Sequence, residues 1–202
     1  QLARDGHVYA LRGQLIGAAA EMLRLEDASA LTPILDDQIA RGQLIADEGV
    51  HPGETTVYLP EYYDAEISAT ESLAALRSTP SDLMKAAGKA DWHELLAKLS
   101  KRIEVTLTEQ QQDAVRAALT GKLSVLTGGP GTGKTTTLRM VIEALTELKA
   151  MFALASPTGR AAKRLSEATG QNAMTIHRLL GYIPGEGFAF DEDNPLKIDM
   201  LV

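Results

Sequence analysis

Eight consecutive residues offer the clearest chemistry in this chain. Gly128, Gly129, Pro130, Gly131, Thr132, Gly133, Lys134 and Thr135 form the pattern G-x-x-x-x-G-K-[ST], and Thr136 follows. Glycines let a backbone curl until successive N–H groups point at one centre, which suits an anion. A helix opening after such a loop aims its positive end at the same point. Lys134 is then expected to reach the β- and γ-phosphates of a nucleotide. The Thr135 hydroxyl is expected to bind Mg²⁺. The pattern follows the apolar run Leu123–Thr127 and precedes an amphipathic stretch, the strand and helix this chemistry requires. Residues 128–136 are therefore expected to hold Mg-ATP, with Lys134 and Thr135 as the catalytic pair. A phosphate loop by itself does not separate a motor from a kinase or a GTPase.

Three further segments narrow the class. Leu107-Thr-Glu-Gln-Gln-Gln-Asp-Ala-Val115 precedes the loop. Ala155-Ser-Pro-Thr-Gly-Arg-Ala-Ala-Lys-Arg164 and Thr175-Ile-His-Arg-Leu-Leu180 follow it. In this order, with the loop, they resemble the motifs of superfamily 1 DNA helicases, most closely the RecD/TraA group. The resemblance is strong over about residues 105–202 and looser over residues 1–100. It implies an ATP-dependent motor moving 5′ to 3′ on single-stranded DNA, with repair, recombination and conjugation all open as its setting and other recombination or repair subunits as possible partners. It also implies that Gln111 reads the adenine, and that Thr158, Thr175 and His177 touch DNA. Thr108 and Gln111 also have capping-box spacing, so Gln111 has a local role open to it. Thr158 equally suits a helix N-cap. Arg160, Lys163 and Arg164 fall on one helical face, a basic stripe that suits a DNA backbone or simply faces solvent.

Two rivals stay open. One is a nucleotide-gated DNA-binding module without hydrolysis. The other is a P-loop kinase of nucleotides or small molecules, which Ser156-Pro-Thr-Gly159 and the basic helix after it disfavour. Hydrolysis also needs an acidic pair to hold Mg²⁺ and orient water. Asp191-Glu192 is a poor match, because glycines and a proline flank it and its apolar run is short. Ile198–Val202 reads better as the strand leading to that pair. With Gln1 in place of Met, this suggests part of a longer chain, cut before the acidic motif.

The elements that must position these residues follow from the pattern. The chain has 202 residues, 45% of them hydrophobic, enough to bury a core. It carries a net charge of -7, so any nucleic-acid surface must be local. It contains no cysteine, which excludes disulfides and thiolate metal sites. No apolar run is long enough to span a bilayer. This composition fits a cytoplasmic protein with no membrane partner. Residues 7–25 have helical spacing, and Thr32-Pro33 should start a short helix ending at Gly42. Gln43–Ala46 and Thr55–Leu59 read as strands. That order predicts a winged-helix-like unit over 1–60, here read as a scaffold because its second helix carries Asp36 and Asp37. A helical region should fill 61–103, with Tyr63, Ile67, Leu73, Ala74 and Leu76 buried. Thr79-Pro80 should start a further helix, and Asp91 should cap another. From 104 to 202, helix and strand alternate, predicting a RecA-like α/β domain with a parallel sheet.

Overall fold

A computed structural model describes residues 6–202, apart from the side chains of Val50 and His51. Residues 1–5 of the expected first unit lie outside it. Internal contacts divide the chain into Gln1–Leu76 and Arg77–Val202.

The first unit begins with β1 (Tyr9–Leu11) and α1 (Arg12–Leu23). A 3-10 turn (Ala28–Leu31) leads into α2 (Thr32–Ala40). The strands β2 (Ile45–His51) and β3 (Glu54–Tyr58) follow, joined by a turn at Pro52-Gly53. The three strands form an antiparallel sheet in the order β1-β3-β2. The helix expected from residue 7 is therefore a strand up to Leu11. Leu11, Leu15 and Ala18 have helical spacing, but Tyr9–Leu11 pairs with Thr56–Tyr58, and that distant ladder decides the conformation.

Helix α3 (Pro60–Ser78) runs from the end of this sheet. Its predicted buried positions are a second correction. No residue of α3 is buried, and Ile67, Leu73 and Leu76 are each more than 40% exposed. Only Tyr63 finds a packing partner of its own kind, its ring standing edge-on to that of Tyr58 at 5.3 Å.

The second unit opens with α4 (Asp82–Lys89), α5 (Trp92–Ile103) and α6 (Glu109–Thr120). Ser81, Asp91 and Thr108 cap them, each side chain accepting from a backbone N–H in the first turn. The cap of α4 is thus Ser81 rather than the expected Thr79-Pro80. Helix α7 (Lys134–Glu147) carries the phosphate loop at its start. Strand β4 (Phe152–Ser156), helix α8 (Gly159–Thr169), strand β5 (Ala173–Thr175) and the single turn α9 (Ile176–Leu179) follow in order. Strand β6 (Met200–Leu201) lies within the expected Ile198–Val202. The sheet is parallel, in the order β5-β4-β6, so the unit is α/β.

Leu99, Val115, Leu119, Met140, Ala144 and Leu145, from α5, α6 and α7, have essentially no exposed surface and form the core. Phe152, Met200 and Val202 of the sheet region pack against it. Leu123–Thr127 is the third correction, because it is irregular rather than a strand. Val125 is 84% exposed. A strand exists through its ladder, and Leu123–Thr127 pairs with none of the strands in the sheet β5-β4-β6. Among the described residues, no helix is long and apolar enough to cross a membrane.

Candidate nucleotide and DNA site

Gly128–Thr132 is exposed and curls onto the first turn of α7. Gly131 and Gly133 adopt left-handed φ values of 77° and 79°, which side chains disfavour. Gly128 is needed for space, since a Cβ there would lie 2.7 Å from the Thr132 hydroxyl. That hydroxyl donates to the Gly129 carbonyl at 3.0 Å and closes the loop on itself. Gly133 is the N-cap of α7, and no side chain caps the helix. The free N–H groups and the positive end of a 14-residue helix therefore face the loop.

Lys134 points back into the loop. Its ammonium donates to the carbonyls of Gly128 and Gly129, both at 2.6 Å. Thr135 is exposed on the first turn beside it, and Thr136 is half-buried. Thr137 turns inward, 2% exposed, and donates to the Gly133 carbonyl at 3.1 Å. The expected phosphate-site residues thus lie together in one curled segment at the start of α7. Among the described residues there is no cluster of three His, Cys, Asp or Glu able to hold a metal. The Thr135 hydroxyl is an exposed oxygen at the helix start, of the kind a hard cation takes as a donor.

Gln111 lies against this loop. Thr108 and Gln111 form a reciprocal capping box at the start of α6. The Gln111 side-chain oxygen accepts from the Thr108 N–H at 3.0 Å. Its amide nitrogen donates to the Thr132 carbonyl at 3.3 Å. The capping role and a position beside the nucleotide loop hold together.

The expected DNA contacts gather at the C-terminal edge of the parallel sheet. Ser156 on β4 stands in register with Thr175 on β5, so the turns carrying Thr158 and Thr175 are neighbours. Each threonine caps a helix, Thr158 accepting from the Ala161 N–H and Thr175 from the Arg178 N–H, both at 3.2 Å. Arg160, Lys163 and Arg164 are all exposed on α8. Lys163 has Glu167 at 3.9 Å, a weak surface pair. His177 is also exposed, but its ring packs on Tyr182 at 5.3 Å and Phe188 at 6.0 Å. Asp191 is spent on its own turn, accepting from the N–H groups of Asp193 and Asn194.

Sequence reasoning missed two features. One is the Tyr182–Phe188 partnership around His177. The other is an ionic clamp across α5 and α7. Glu147 accepts from Lys98 at 2.5 Å and Arg102 at 2.6 Å, and Arg102 also lies 3.5 Å from Glu143. Hydrogen bonds from Lys98 and then Arg102 hold the Glu147 carboxyl below the usual glutamate range. The signal was present in the sequence, since Lys98 and Arg102, like Glu143 and Glu147, are spaced four apart on helices.

Residues 111–202 match a family model described as an AAA domain. The ATP-dependent RecD2 DNA helicase of Deinococcus radiodurans is 37% identical over 180 residues, covering 89% of this chain and 24% of the relative. The RecBCD enzyme subunit RecD of Mycobacterium tuberculosis is 34% identical over 169 residues, covering 72% and 27%. The ATP-dependent DNA helicase dda of phage T4 is 42% identical over 84 residues, covering 39% and 19%. The chain spans about a quarter of the length of the first two. With the phosphate loop built on an uncapped helix and the other motifs set around it in the same order, the chain belongs to the RecD-like superfamily 1 helicases.

Proposed function

We propose that this chain is the nucleotide-binding part of an ATP-dependent DNA helicase that moves 5′ to 3′ on single-stranded DNA. The observation carrying the reading is the uncapped N-terminus of α7 under a curled loop, with the Lys134 ammonium inside it. Loop N–H groups and Lys134 would take the β- and γ-phosphates in place of the loop's own carbonyls. Lys134 would then stabilise charge building on the transferred phosphoryl group. Thr135 would hold Mg²⁺, which when bound neutralises phosphate charge. Gln111 would read the adenine. Thr158, Thr175, Arg160, Lys163 and His177 would contact the DNA strand, with Arg164 beside them. The relatives' names support an ATP-dependent DNA helicase, while the direction rests on the motif resemblance alone. The relatives named as subunits of a RecBCD enzyme support other subunits as partners, which we take to be recombination or repair subunits.

Residues 1–60 would form a winged-helix-like scaffold, residues 61–103 a helical region, and residues 104–202 the first RecA-like motor domain. The acids of α2 are already engaged, Asp36 with Arg12 and Asp37 with Arg41. A cytoplasmic location fits a DNA motor.

The test is ATP turnover by the full-length protein with and without single-stranded DNA, together with unwinding of a 5′-tailed duplex. DNA should stimulate turnover, and Lys134→Ala should reduce it by about 100-fold or more. Turnover indifferent to DNA would remove the motor reading and favour a kinase.

A further inference from the structure

We propose that Gln111 is a positioning residue for the phosphate loop, fastening it to α6 independently of any base it reads. A glutamine amide has two N–H donors and an oxygen with two lone pairs. In this structure one lone pair accepts from the Thr108 N–H at 3.0 Å. One N–H donates to the Thr132 carbonyl at 3.3 Å. Thr132 lies within the loop, next to the residue that caps α7. A side chain on Gly133 would overlap the Gln111 amide, so the two segments are in close contact. The link therefore runs from the N-terminus of one helix to the N-terminus of another, through a single side chain.

Half of the amide's bonding capacity is left over, one N–H and one lone pair. That remainder matches the acceptor and donor on one edge of an adenine. Base and loop then share one side chain without competing for it. Ordering the loop favours the base, and binding the base favours an ordered loop. The second half of this inference rests on the adenine reading proposed above; the first half does not.

The experiment is calorimetric titration of the full chain with Mg²⁺ and inorganic tripolyphosphate, which has no base, and separately with ATP and GTP. The variants are Gln111→Met, which keeps the length and loses both hydrogen bonds, and Gln112→Ala. Gln112 donates to the Leu107 carbonyl at the same helix start but has no bond to the loop. Gln111→Met should weaken tripolyphosphate binding about three- to tenfold, the scale of one modest hydrogen bond. Gln112→Ala should leave it unchanged, and both variants should melt as cooperatively as the parent. Unchanged tripolyphosphate affinity in Gln111→Met, or an equal loss in Gln112→Ala, would overturn the positioning role. A parent that binds ATP and GTP equally, with the tripolyphosphate effect intact, would overturn only the base reading and leave the positioning role supported.

Discussion

The carboxylate of Glu147 accepts a 2.6 Å hydrogen bond from the guanidinium of Arg102, tying α5 to the last turn of α7. Lys98 approaches the other carboxylate oxygen from the same face of α5. Helix α7 begins at the phosphate loop and ends in this clamp, so the clamp fixes the far end of the rod on which Lys134 sits.

The clamp predicts an acid-sensitive stability. The carboxyl of Glu147 titrates below the ordinary glutamate value in the folded chain, because Lys98 and then Arg102 bond to its charged form. A lowered folded pKa means stability that is fully present above the unfolded value, about 4.3, and lost as pH falls through the folded one. Glu147→Gln should therefore melt below the parent at pH 7, and the gap should close below about pH 4. A gap that stays constant from pH 7 to pH 3 would show that the lost contact is packing rather than charge.

Gly133→Ala tests the loop geometry. The left-handed φ of 79° costs a non-glycine residue about 1–2 kcal/mol, and the added methyl would meet the Gln111 amide. The variant should lose about that much stability and bind ATP about tenfold or more weakly. Thermal melts and nucleotide titration read the two effects separately.

The core makes a simpler prediction. Leu119 on α6 has no exposed surface and packs among residues of the α4–α7 core. Leu119→Ala should cost about 2–5 kcal/mol, measured by urea unfolding.

How far the sequence revealed this structure depends on the range of each interaction. Caps at Asp91, Thr108 and Thr158 were legible because a side chain and a backbone N–H three residues later settle them. The alternation of helix and strand after residue 104 was legible, since a short apolar run between two helices, as at β4, has few alternatives. Tyr9–Leu11 was misread because its partner, β3, lies some forty-five residues later, at Thr56–Tyr58. Leu123–Thr127 was misread for the converse reason, having strand composition without a ladder. The phosphate loop was legible because its chemistry lies in consecutive residues. The bond from Gln111 to Thr132 was not, since nothing local in either segment specifies it.

The basic face of α8 predicts a salt signature. Arg160 and Arg164 are exposed beside the helix N-terminus capped by Thr158. If each neutralises one phosphate, each alanine substitution should reduce the slope of log affinity against log salt by about 0.7. The loss should be the same for strands of different sequence, because phosphate contacts carry no base information. Equal slopes for parent and variants would place the strand elsewhere.

The first unit supplies the matching contrast. Its α2 carries Asp36 paired to Arg12 and Asp37 paired to Arg41, so the two arginines beside this helix are already engaged with its carboxylates. Around α2 such a surface offers little net attraction to duplex phosphates, whereas α8 has two arginines to offer. Arg41→Ala in the full chain should leave duplex affinity within about twofold, a change of under 0.5 kcal/mol. Arg160→Ala should weaken single-strand binding by more than that under the same salt. A large loss of duplex binding in Arg41→Ala would make the first unit a DNA grip, and the scaffold reading would fall.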